Sequence, residues 1–155
     1  MSAIRHFVSP NYSVQCVFHR WDTSSIPDGD TVSAADWKPY VESKADGDAR
    51  SLVAEYFVWG TIDTTDHTNT AANDAHSGTT IASLTLGAVN VLALQNLGSI
   101  SKTGFTELRI HVSGGVPAGI NRVTLADWWH ATQPPADLVV THAAPTTFIP
   151  KMLAF

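Results

Sequence analysis

The stretch from Phe105 to Val112 constrains the fold more than any other part of the chain. Thr106, Leu108, Ile110 and Val112 alternate with Phe105, Glu107, Arg109 and His111. A period of two puts the first four side chains on one face and the last four on the other, as in a strand and unlike a helix. Thr103-Gly104 precedes it, and Ser113 to Asn121 follows as a loop carrying three glycines and Pro117. The core of this protein must therefore be built from strands.

The same reading extends along the chain. Residues 14–21 carry apolar groups on both faces, as expected of a strand covered on both sides. From Trp21, Asp22, Thr23 and Ser24 favour a turn, Ile26-Pro27 forces an extended residue, and Asp28-Gly29-Asp30 reverses the chain. Ala35, Trp37, Pro39 and Val41 then face one way, and Asp36, Lys38 and Tyr40 the other. Pro39 cannot donate to a ladder, so this strand is expected at an edge or to bulge there. Residues 51–59 are the most apolar run, with Leu52, Ala54, Tyr56 and Val58 on one face and Val53, Glu55, Phe57 and Trp59 on the other. Residues 60–80 form a long polar insertion rich in Thr, Asn, Asp and His, a length associated with function or disorder. Val89, Leu92, Ala93 and then Asn96 or Leu97 fall at helical spacing with Gly98 as a stop, which predicts one short helix near 88–97. Residues 122–129 and 136–142 close the series of strands.

These observations predict an all-β chain: a single-domain β-sandwich, jelly-roll-like, with extended N- and C-terminal arms. The expected divisions are an N-terminal arm at 1–13, the sandwich at 14–142 and a C-terminal tail at 143–155.

Composition narrows the function classes. Only 15% of the 155 residues are charged, the net charge is -5, and the nine Lys and Arg residues are scattered. No basic stripe is present to follow a row of phosphates, so no nucleic-acid partner is expected. No apolar run approaches the ~20 residues of a membrane span, and the N-terminus lacks the apolar segment of a secretion signal. The single cysteine, Cys16, allows no internal disulfide and reads as a small buried hydrophobe.

Chemistry-bearing patterns are sparse. The seven histidines form neither H-x-x-x-H nor H-E-x-x-H. Asp63, Asp66, His67, Asn73, Asp74 and His76 lie in the polar insertion and are the side chains that could gather round a cation. Their order does not match an EF-hand loop, and the insertion reads as solvated. There is no G-x-S-x-G elbow, and the glycines at 114–119 lack the Lys-Ser/Thr of a P-loop. No catalytic residue, metal or cofactor is expected.

Two features remain. Trp37, Trp128 and Trp129 could stack on a glycan or bury themselves at an interface. Apolar residues outside the expected sandwich, Phe7 and Val8 at one end and Phe148, Ile149, Met152, Leu153 and Phe155 at the other, suit docking on a partner.

Four segments taken together resemble one family. Residues 18–27 (Phe18-His19-Arg20-Trp21-Asp22-Thr23-Ser24-Ser25-Ile26-Pro27) resemble the "R-x-x-L-x-F-D-T-S-x-I-P" signature of DNRLRE-type jelly-roll domains. Residues 35–41 occupy the place of that family's "A-T-L-x-L-Y-V" strand. Residues 102–110 resemble its "G-x-T-x-F-x-L-R" strand, and residues 134–142 its terminal "R-P-x-L-x-V-T-Y". The order is preserved over about residues 14–142. The family includes modules classed with carbohydrate-binding domains and similar stretches in phage structural proteins.

The resulting expectation is a non-enzymatic structural virion protein, a phage capsid decoration protein assembled in the host cytoplasm. It would self-associate, with a trimer favoured, and dock on a major capsid protein or similar shell through its arms. The alternative is a glycan-binding module of a phage fibre or cell-surface system, with a polysaccharide as partner.

Overall fold

The computed structural model describes residues 1–8, 11–127 and 132–145. Its elements in chain order are β1 (Ser2–Val8), β2 (Asn11–Gln15), β3 (Val17–Asp22), β4 (Thr31–Lys38), β5 (Tyr40–Asp46) and β6 (Ser51–Tyr56). They continue with β7 (Asn73–Thr80), β8 (Ala88–Val89), β9 (Leu92–Ala93), β10 (Phe105–Val112), β11 (Ile120–Leu125) and β12 (Asp137–Ala143). Two 3-10 turns, Ile81–Ser83 and Leu97–Ser99, complete the inventory, and no α-helix forms among the described residues. The chain is all-β, and its strand pairs are antiparallel.

The strands form a five-stranded sheet (β2-β1-β11-β5-β8), a four-stranded sheet (β3-β10-β6-β7) and a three-stranded sheet (β12-β4-β9). One apolar core draws on all three. β10 contributes Leu108, Ile110 and Val112, fully buried, and β6 contributes Leu52, Ala54 and Tyr56. The same cluster takes in Ala35 and Trp37 of β4, Val41 of β5, and Val123 and Leu125 of β11. Thr106, on the inward face of β10, is buried with its hydroxyl 2.8 Å from that of Thr23. The turn after Trp21 is closed by Asp22, whose Oδ1 accepts from the N–H and hydroxyl of Ser24 at 3.0 and 2.7 Å.

Pro39 marks where the chain leaves one sheet for another. β4 belongs to the three-stranded sheet and β5 to the five-stranded one. Having no N–H, Pro39 cannot continue either ladder, but its carbonyl accepts the Asn90 N–H at 2.8 Å. Ala126 N–H to Tyr40 O and Gly87 N–H to Val41 O tie the next turn of chain. The edge position or bulge expected at Pro39 is not what forms: β4 lies between β12 and β9, β5 lies between β11 and β8, and the chain changes sheet between them.

Two expectations need correction. Residues 88–97 are not a helix. Leu92 and Leu94 are buried while Val89 and Val91 are exposed, and β8 and β9 pair with β5 and β4. Apolar residues at helical spacing are equally served here by a short period of two, because the free side of β4 and β5 supplies hydrogen bonds. The N-terminal segment is not an arm either. β1 pairs with β11 on one side and β2 on the other, Ala3 is fully buried, and the Met1 amino group donates to Leu125 O at 2.8 Å. Phe7 and Val8 have their backbones in that ladder, opposite Tyr12 and Asn11. The C-terminal docking residues Phe148, Ile149, Met152, Leu153 and Phe155 lie outside the described residues, as do Trp128 and Trp129.

Candidate functional site

A network of charged side chains lies on the outer face of the four-stranded sheet. Register places Arg20 of β3 opposite Glu107 of β10, and Arg109 of β10 between Phe18 of β3 and Glu55 of β6. Alternation predicts that Glu107, Arg109 and His111 face away from the core, and they do. They are nonetheless covered: Glu107 is 7% exposed and Arg109 5%. The cover is the connection after β6, residues 57–72.

Arg109 is the fastening point. Its Nε and Nη2 donate to Glu55 Oε2 at 2.8 and 2.6 Å. Its Nη1 donates to the carbonyls of Asp66 at 2.5 Å and Asn69 at 2.7 Å, and its guanidinium sits 4.5 Å from the Phe57 ring centroid. His111 Nε2 lies 3.3 Å from the same Glu55 oxygen. Those hydrogen bonds, His111 first and Arg109 after it, hold the Glu55 carboxyl at about 2 against the burial that opposes them. Beside this group, Arg20 pairs with Glu107 through Nη2, and its Nε donates to Glu107 Oε1 at 2.6 Å. Glu107 Oε2 accepts the Trp59 N–H at 3.2 Å. The charges on this face bind loop to sheet.

The candidate cation ligands are dispersed. Asp63 Oδ1 accepts both the N–H and the hydroxyl of Thr65 at 2.6 Å, the hydroxyl first, which draws its carboxyl below the usual range. Asp66 accepts from Asp63 N–H and Asn69 Nδ2. His67 Nδ1 contacts Thr64 O at 2.6 Å. Asp74 and His76 belong to β7 instead. There His76 Nδ1 donates to Ala93 O at 2.9 Å, and its Nε2 lies 2.8 Å from the Thr79 hydroxyl. Asp66 takes the Asp63 backbone N–H, and among the described residues no three His, Cys, Asp or Glu side chains are grouped to hold a metal.

Trp37 is not a surface aromatic. It is fully buried, and its Nε1 donates to His19 Nδ1 at 3.2 Å. Burial lowers His19 to about 4, so it is held neutral, as an acceptor at Nδ1 requires. The residue sits between two tryptophans, Trp21 at 5.5 Å and Trp37 at 5.9 Å. A cleft of about 520 Å³ opens beside it, lined by Trp21, Arg20, Asp127 and Pro134 to Asp137.

Sequence reasoning singled out none of Arg20, Glu55, Glu107 and Arg109. The available signal was the apolar company of these charges: two arginines and two glutamates on strands whose outer neighbours include Phe18, Phe57 and Trp59. The chain matches no known family model, no curated protein and no solved structure.

Proposed function

We propose that this chain is a non-enzymatic structural component of a virus-like shell, a capsid decoration protein built on a jelly-roll-like sandwich. The resemblance of residues 14–142 to DNRLRE-type domains of phage structural proteins supports the reading.

The observation that carries the proposal is the edge at β8. No Asp, Glu, Lys or Arg lies between Asp74 and Lys102. Within that stretch Leu86, Val89 and Val91 are 56%, 45% and 62% exposed, and β8 ends its sheet. Asn90 makes the tip rigid: its Oδ1 accepts the Thr85 N–H at 2.7 Å, and its Nδ2 donates to the carbonyls of Thr85 and Ala88. Soluble proteins guard free edges with charge, and a fixed apolar edge without charge is suited to permanent cover by a partner. The partners proposed are further copies of the chain, as a trimer, and a capsid shell beneath them.

Light scattering on the purified protein, followed by electron microscopy with capsids, tests this. Val89→Lys with Val91→Lys is expected to yield monomers of unchanged melting temperature that no longer decorate shells. A wild-type protein that stays monomeric and binds no shell would falsify the proposal.

A further inference from the structure

The cleft beside His19 holds a hydrogen-bond donor that the fold leaves unused. Trp37 Nε1 can only donate, so His19 Nδ1 at 3.2 Å must accept, and the ring proton is on Nε2. Nε2 makes no hydrogen bond to a described residue, although His19 is only 7% exposed. That atom is not sealed in the core, and His19 is one of the residues lining the cleft of about 520 Å³, so its N–H opens into that space. Phe18, Trp21, Ala126, Pro134, Pro135 and Ala136 supply apolar wall. The Trp21 indole N–H donates to Ala136 O at 3.2 Å, which ties two sides of the cleft together and leaves that indole no donor to offer. A wall fixed beforehand lowers the ordering cost of binding. The charged groups around the cleft are compensated or acidic: Arg20 is held by Glu107, the Met1 amino group lies 3.8 Å from Asp127 Oδ2, and Asp137 adds a carboxylate.

We infer that this cleft binds a small, neutral, mostly apolar molecule with one carbonyl group, whose oxygen accepts the His19 Nε2–H. Apolar walls around one placed polar group are the pattern of small-ligand pockets, and the volume falls in their range of about 300–1,000 Å³. A donor buried to this degree gains from an acceptor that reaches it and disfavours an occupant without one. Neutrality follows from the charges nearby. An anion would meet the Asp127 and Asp137 carboxylates, compensated cations, and an imidazole that burial keeps neutral. A ligand with donors alone would find an N–H at His19 and no lone pair, because Nδ1 is already taken by Trp37. The site shares no residue with the β8 edge and stands apart from shell docking.

Nitrogen-15 NMR of the imidazoles in the labelled full chain tests the inference, with acetophenone, ethylbenzene and benzoate as probes at pH 7. His19 should show the tautomer protonated at Nε2. Acetophenone should shift that nitrogen along a saturable curve while Nδ1 keeps its bond to Trp37. Ethylbenzene, which has the same ring without the acceptor, should leave Nε2 unshifted. Benzoate, which adds a charge, should bind about tenfold more weakly than acetophenone. Ala136→Trp puts an indole into the cleft without altering His19; it should abolish the acetophenone shift with the wild-type melting curve retained. Val89→Lys with Val91→Lys should leave the shift unchanged. A proton on Nδ1, no saturable Nε2 shift with acetophenone, or equal affinity for benzoate overturns the inference. So does an Nε2 shift that ethylbenzene reproduces, or one that persists in folded Ala136→Trp. The wild-type titrations decide alone should that variant fail to fold.

Discussion

Two long connections cover the sheets of this protein, and they are fastened by opposite means. Residues 57–72 are held to the four-stranded sheet by charge, through Arg109, Glu55, Arg20 and Glu107. Residues 81–101 are held by buried apolar side chains, Ile81, Leu84, Leu92, Leu94 and Ile100, and by backbone hydrogen bonds to Ala35, Pro39 and Val41. The first connection spends its charged partners inward. The second spends its leucines inward and leaves Leu86, Val89 and Val91 outside. The manner of fastening decides what the second offers to solvent: an uncharged apolar edge.

The contrast is broken most severely at Arg109. Arg109→Ala leaves Glu55 with His111 alone and two loop carbonyls without their donor, and losing these charge-assisted hydrogen bonds should cost about 3 kcal/mol. Urea denaturation should show that loss, and hydrogen exchange should show residues 57–72 opening while 81–101 stay protected. A cost below ~1 kcal/mol would mean that the loop is held by something other than charge.

On the apolar side, Leu92→Ala should cost about 2–4 kcal/mol by leaving a cavity under β4. Its effect should be insensitive to pH, which distinguishes it from Arg109→Ala in the same denaturation series.

Acid titration separates the two sides of the four-stranded sheet. His19, inside it, has a folded value of about 4 against an ordinary 6.5, so the unfolded chain binds the extra proton between them. Stability from His19 is complete above 6.5 and falls as pH drops towards 4. Glu55, outside it, is depressed from 4.5 to about 2, so its contribution holds above 4.5 and is lost as pH falls through 2. His19→Gln, which keeps an acceptor for Trp37 Nε1, should flatten the upper window and leave the lower one intact. Thermal melts from pH 7 to 2 give both.

The smallest expected effect is at Lys44. Its Nζ donates to the carbonyls of Ile81, Ala82 and Leu84, the one cationic tie on the apolar connection among those described here. Lys44→Met should cost about 1.5–3 kcal/mol, the range of a hydrogen bond to a charged group. A loss greater than that of Arg109→Ala would erase the distinction between the two connections.

Much of the fold was legible before any tertiary information. The faces of β10 and β6 follow from alternation, and the corner after Trp21 from the short side chains of Asp22 and Ser24. That the ladder cannot run through Pro39 follows from its missing N–H, but the change of sheet there does not. The candidate site was not legible in the same way. Glu107 and Arg109 were correctly placed on the outer face, but periodicity cannot say that residues 57–72 fold over that face and bury them. The polar insertion drew attention as a cation loop, whereas its backbone carbonyls at Asp66 and Asn69 are what Arg109 uses.

What the sequence determined by itself is local: which side chains share a face, where the chain must turn, and that the core is made of strands. These depend on backbone geometry and on residues within a few positions of each other. Tertiary structure decided the rest. It set β1 inside a sheet, between β2 and β11, and made Ala88–Val89 and Leu92–Ala93 short edge strands. It put Trp37 against His19 and closed a loop over an ion-pair network. Each outcome depends on a partner distant in sequence: β11 for β1, β4 and β5 for β9 and β8, and Arg109 for the loop. A hydrogen-bond donor or an apolar surface accepts whichever segment reaches it, so the choice is settled only when the whole chain packs.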